Sequence, residues 1–134
     1  MLDQSFVQAA LVAKLQTITD FQVVLELEYQ GTDIPYPSAR VRISQTPPRG
    51  EQGSCHESHS NLTMLVAIFS EKDSSLEAMQ LGTQVVNLLF GKHLIGSNFR
   101  TLSIDMRGTN GPYQAKPREW RHDLYFTAHG YQTL

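Results

Sequence analysis

A chain of 134 residues with 40% hydrophobic and 18% charged residues has the composition of a single folded domain rather than a disordered segment. Lys and Arg total 11 against 13 Asp and Glu, for a net charge of −2, so the cationic surplus of a dedicated nucleic-acid or anionic-membrane binder is missing. The longest apolar stretches fall well short of the ~20 residues that a bilayer span requires, and a lone Cys55 excludes an intramolecular disulfide.

The segment Met1-Leu2-Asp3-Gln4 lacks the basic and apolar regions of a signal peptide, so the expected place of synthesis is a cytoplasm. Asp3 is suited to cap a helix whose stripe is Phe6, Val7, Ala10, Leu11, Leu15 and Ile18, with Leu2 and Val7 placed for a hydrophobic staple. From Phe21 to Gln30 the period falls to two, which predicts a strand burying Phe21, Val23, Leu25, Leu27 and Tyr29. Gly31, Pro35 and Pro37 then turn the chain. A second strand follows, with Ala39, Val41 and Ile43 on one face and Arg40, Arg42 and Ser44 on the other.

Residues 45–61 contain no aliphatic or aromatic side chain and read as a long polar loop, a feature that is usually functional when it occurs within a small domain. Leu62 to Phe69 is nearly continuous apolar sequence, the mark of a central strand covered on both faces. Asp73 or Ser74 is placed to cap a second helix, and Ser74 with Glu77 fits a capping box. Its apolar residues run from Leu76 and Met79 through Val86 to Phe90, a broad surface expected to be well buried, with Gly91 as the stop. Phe99 to Met106 alternates as a fourth strand, 107–119 reads as a second polar loop, and Trp120 to Tyr131 reads as the last strand. The expected fold is one α+β domain over 1–134, in the order helix-β-β-β-helix-β-β. About five strands would form an antiparallel or mixed sheet with both helices on one face.

Chemistry-bearing groups are few. Cys55, His56, Glu57 and His59 are all potential zinc ligands, but their spacing fits no standard finger and the helical H-E-x-x-H pattern is absent. Glu26 and Glu28 share a strand face and could act as a carboxylate pair. Cross-strand pairing with Arg40 and Arg42 explains all four more simply, and it would set register if that face met another subunit. No nucleophile elbow, phosphate loop or dinucleotide fingerprint occurs. Neither catalytic nor metal residues are therefore assigned, no cofactor is expected, and the chain is read as a non-enzyme. Trp120, flanked by Arg118, Glu119 and Arg121, suits either an interface anchor or a core-closing role.

From the opening Ala9-Ala10-Leu11-Val12-Ala13-Lys14-Leu15 to the closing Trp120-Arg121-His122-Asp123-Leu124-Tyr125-Phe126, the chain resembles phage tail terminator proteins. These are the ring-forming tail-completion proteins of lambda-type and Mu-type tails, and the closing segment is most similar to the Mu-type, contractile-tail group. The resemblance implies a homohexameric ring at the tail–head junction of a virion. Such a ring would cap the tail tube, end its polymerisation, and meet the head connector or neck protein and the tail sheath. DNA would pass through the lumen without specific binding, and no membrane would be involved. By the same analogy the loop residues Arg49, Glu51, Cys55, His56, Glu57 and His59 are implied contacts with subunits or tube. Arg40, Arg42, Arg118 and Trp120 join them as interface candidates. The rivals are another neck or head-completion protein, a monomeric adaptor domain, and a small metal-dependent hydrolase built on Cys55, His56 and His59 or on Glu26 and Glu28.

Overall fold

Asp3 caps the first helix, α1 (Gln4–Leu15), as its spacing predicts: its Oδ1 accepts from the Ser5 backbone N–H at 2.9 Å and from the Ser5 hydroxyl at 2.6 Å. The computed structural model describes residues 2–46 and 59–133. After α1 come β1 (Val23–Glu26), β2 (Ser38–Thr46), β3 (His59–Ser70), α2 (Leu76–Leu89), β4 (Ile95–Gly96), β5 (Phe99–Thr101), β6 (Asp105–Lys116) and β7 (Glu119–Gln132). The sheet order is β1-β2-β3-β7-β5-β4, with β6 also paired to β7. Only β1 and β2 run parallel, so the sheet is mixed and the α+β class holds.

One core joins both helices to one face of this sheet. Val7, Leu11 and Leu15 of α1 and Leu81, Val85 and Leu89 of α2 meet three rows of strand residues. These rows are Ala39, Val41 and Ile43 of β2; Leu62, Met64, Val66 and Ile68 of β3; and Leu124, Phe126 and Ala128 of β7. The alternation read in β2 and the double-sided burial read in β3 are both present. Gly91, at φ 74, ends α2 in the left-handed region, where a glycine carries no Cβ penalty.

Several expectations are corrected. The strand Phe21–Gln30 shrinks to Val23–Glu26, and its buried residues are Phe21 and Val24, whereas Tyr29 is exposed. Pairing with β2 lasts only four residues, so the later alternation has no partner to hold it. Phe99–Met106 is two strands, β5 and the start of β6, interrupted at residues 102–104. The supposed loop 107–119 is mostly β6 and the turn into β7. Its Gly108, Gly111 and Pro112 are accommodated because β6 pairs on one side only and its register slips between Asn110 and Tyr113. The sheet therefore has seven strands rather than about five among the described residues. The loop 45–61 is shorter than expected at both ends, since β2 reaches Thr46 and β3 begins at His59, with Thr46 opposite Asn61.

The helices also differ in detail. Phe6 is 38% exposed. Ser75 is the N-cap of α2 without a side-chain hydrogen bond, and the capping box does not form. Glu77 instead accepts from the Ser70 hydroxyl at 2.6 Å. The apolar surface of α2 is only half used: Leu76, Met79 and Phe90 are 58%, 50% and 52% exposed, because one stripe of a helix faces the sheet and the adjoining row faces outward.

Two stability predictions follow from this packing. Phe126→Ala, which empties a fully buried site under both helices, is expected to lower unfolding stability by about 3–5 kcal/mol in urea titration. Replacing residues 47–58 with a short Gly/Asn turn should leave the β2–β3 hairpin and the native circular dichroism spectrum intact. Loss of folding in that variant would show that the segment belongs to the core.

Candidate functional site

The face of the sheet turned away from the helices carries the charge. Register aligns Arg40 with Ala67 and Asp123, Arg42 with Leu65 and Tyr125, and Ser38 with Phe69 and Arg121 across β2, β3 and β7. Strand alternation therefore brings two arginines of β2 and one of β7 to a shared apolar floor of Leu65, Ala67 and Phe69. The Arg40 guanidinium carbon stands 3.9 Å from the Phe69 ring centroid and that of Arg121 5.2 Å from it, both within cation–π range.

Three defined pairs hold charged groups here. Arg121 Nε donates to Asp123 Oδ1 at 2.8 Å, and Asp123 is only 3% exposed. Burial works against the Arg121 charge, but the hydrogen bond to Asp123 and the carboxylate's own charge outweigh it and raise the guanidinium above its ordinary range. Arg42 Nε donates to Glu28 Oε1 at 2.7 Å, and that bond holds the Glu28 carboxyl below the usual range. The Tyr36 hydroxyl donates to Glu119 Oε2, and Glu119 is 7% exposed. The bond to Glu119, with smaller contributions from burial and from the charges of Glu119 and Glu71, pushes the Tyr36 phenol up to about 12.

Arg40 differs from its neighbours. Its Nε is buried and has no hydrogen-bond partner among the described residues. Burial lowers its guanidinium below the ordinary value, only partly offset by Glu119 and Tyr36. A buried donor left unpaired costs about 1–3 kcal/mol, more when charged, so an acceptor reaching it would recover that energy. The groups surround an open cleft of about 700 Å³. Arg40, Arg42, Lys116 and Arg121 line it with two carboxylates, Asp33 and Glu119, and Glu28 and Asp123 pair with two of these arginines, so opposite charges are set close together around the cleft.

The interface candidates are thus only partly gathered. Arg40 and Arg42 meet in the cleft. Arg118, at φ 65, follows Pro117 in the turn joining β6 to β7; its side chain is 80% exposed and lies 3.8 Å from Asp73. Trp120 is half-buried on the helix-facing side, opposite Ser70 and Gln114. His59 lies at the start of β3, away from the cleft, with its Nδ1 3.1 Å from His129 Nε2. Arg49, Glu51, Cys55, His56 and Glu57 lie outside the described residues. Glu26 and Glu28 do not act as a pair, because β1 ends at Glu26: Gln8 donates to Glu26 at 3.3 Å, while Glu28 turns to Arg42.

Arg121, Glu119, Tyr36 and Phe69 were not anticipated. The signal for the first two was available, since the alternation that buries Leu124 and Phe126 places Glu119, Arg121 and Asp123 on the opposite face. A second surface was also missed. Met79 and Val86 of α2 with Met106, Pro112, His122 and Leu124 form an apolar groove of about 360 Å³.

No family model and no curated protein matches the sequence. Among solved structures, the chain is similar to one described as "Virion of native gene transfer agent (GTA) particle", with a TM-score of 0.70 and 14% sequence identity over 96% of each chain. At that identity the likeness establishes a shared fold from end to end.

The Tyr36–Glu119 bond carries a pH dependence of defined sign. An unfolded tyrosine ionises near pH ~10, whereas Tyr36 in the folded chain keeps its proton to about 12. Its contribution to stability is complete below pH ~10 and disappears as the pH rises towards the folded value. Glu119→Gln is expected to move the Tyr36 ionisation back towards its ordinary range. Ultraviolet difference titration against Tyr36→Phe would measure it, and an unmoved transition would mean that burial alone sets the shift.

Proposed function

We propose that this chain is a structural subunit of a virion, a tail terminator that closes into a ring, hexameric by the resemblance stated above. The observation that carries the reading is the end-to-end likeness to a chain of a gene transfer agent virion, which spans 96% of both molecules at a TM-score of 0.70. The sequence resemblance to tail terminators points the same way by an independent route. On this reading the protein acts without catalysis or cofactor, at the junction of tail and head. Its partners are further copies of itself, the tail tube protein, the sheath of a contractile tail and the head connector, and DNA slides through the lumen.

The mechanism is polymerisation control by surface matching. Heterologous contacts whose rotation closes give a ring of fixed size, and a closed ring on a tube end leaves no site for the next tube subunit. The cleft suits one side of such a contact: Arg40 offers an unpaired buried donor, Arg42 an exposed guanidinium, and Phe69 an apolar floor. A neighbour's acidic side chain entering the cleft would satisfy Arg40 and set register. Arg118 on its exposed turn and the 47–58 segment, with Arg49, Glu51, Cys55, His56 and Glu57, extend the contact surface towards the neighbour or the tube.

The test is native mass spectrometry with negative-stain imaging, with and without tail tube protein. Wild type should give closed rings, alone or on tube ends. Arg42→Glu, at a side chain 54% exposed, should keep the fold and weaken assembly by about tenfold or more. A strict monomer that ignores tube protein overturns the reading, and rings that bind only head-connector protein would assign the chain to the neck instead.

A further inference from the structure

The β3–β7 pairing gathers a group that the ring reading does not use. Asn61 lies directly opposite His129, and His59 lies two residues away on the same face of β3. His59 Nδ1 and His129 Nε2 stand 3.1 Å apart, with ring planes tilted by 33°. Two imidazole nitrogens bound to one tetrahedral ion at about 2.0–2.1 Å lie about 3.3 Å from each other, so the separation already matches a shared ion.

The second ring nitrogen of His129 supports this placement. His129 Nδ1 is 3.2 Å from Asn61 Oδ1, and a carboxamide oxygen only accepts. With the proton on Nδ1, the Nε2 lone pair is directed at His59, and Asn61 fixes the ring as an outer partner does for a ligating histidine. We propose that His59 and His129 form a cross-strand chelate for a divalent transition-metal ion of the zinc class, with Asn61 as its positioning residue.

With that tautomer of His129, the 3.1 Å contact in the metal-free chain has His59 Nδ1–H donating to His129 Nε2. Binding replaces this shared proton by the ion: His59 shifts to its Nε2–H tautomer, both imidazoles stay neutral, and each gives one lone pair. Among the described residues no third His, Cys, Asp or Glu completes the set, so water takes the remaining positions. An open depression beside the pair is lined by His129, Asn61, Thr127, Asp105 and Arg107. Imidazole and water ligands suit zinc, nickel and copper, and exclude calcium and magnesium as preferred occupants.

The site belongs to the single chain and stands whether or not rings form. The experiment is isothermal titration of the full chain with zinc chloride near neutral pH, with circular dichroism of each variant as the fold control. Wild type is expected to bind one equivalent, His129→Gln and His59→Gln to lose that binding, and Asn61→Ala to bind about tenfold more weakly. The double variant Cys55→Ser/His56→Ala should retain the site. Acidification should weaken binding, because protonated rings are not ligands. No binding by wild type, unchanged binding in either folded histidine variant, or loss in the Cys55/His56 variant would overturn the proposal.

Discussion

The antiparallel pairing of β3 with β7 is the constraint on which the rest of the molecule depends. It runs without a slip from His59 opposite Tyr131 to Ser70 opposite Trp120. A one-residue shift of β7 would turn Leu124 and Phe126 away from the helices and push Arg121 and Asp123 into the core. That cost pins the register. The same register then decides everything on the far face: it aligns Arg121 with Phe69, Asp123 with Ala67 and His129 with Asn61, pairs too far apart in sequence for local structure to bring them together.

The two faces answer different physical demands. The helix side is held by apolar burial, the dominant favourable contribution to folding. The far side holds polar groups under partial burial, where each must find a partner or cost free energy. Asp123 meets this demand through Arg121, and Glu119 through Tyr36. Removing one partner of such a buried pair is more damaging than never having built it, which ties these residues to one another more tightly than to the apolar core. Among the described residues, Arg40, stacked on Phe69 with an unpaired Nε, and Ser38, with an unpaired buried hydroxyl, are the exceptions. Such exceptions occur most often at functional sites, which is what the proposed reading makes of the cleft.

Legibility in the sequence followed the strength of each periodic signal. The helix spans, the faces of β2 and the two-sided burial of β3 were readable because apolar residues there recur at one period over many residues. The hairpin of β6 and β7 was not, because an edge strand with register slips needs no apolar face and tolerates Gly108, Gly111 and Pro112. The first strand failed for the reverse reason: alternation continued past Glu26, but the chain left the sheet there to reach the far face through Glu28 and Tyr36. Of the site, Arg40 and Arg42 could be read from one strand. Their companions Arg121, Glu119 and Tyr36, like the partner of His59, depend on which strands lie side by side, and periodicity within a single strand carries no such information.

On the proposed reading, the arrangement also explains how so plain a composition could serve a specific assembly. A net charge of −2 gives little long-range field, so recognition has to come from local contrast. The cleft supplies it with paired charges and the unpaired Arg40 Nε on an apolar floor. The groove beside α2 supplies a different contrast, an apolar strip lined by Met79, Val86 and Met106, with Leu76 exposed on the same helix. They lie on opposite sides of the sheet, one on the far face and one against the helix layer. A ring made by heterologous contacts needs two unlike surfaces on each subunit, and surfaces on the two sides of one rigid sheet fix the angle between successive neighbours. On the proposed reading, the register of β3 against β7 sets that angle as well as the fold.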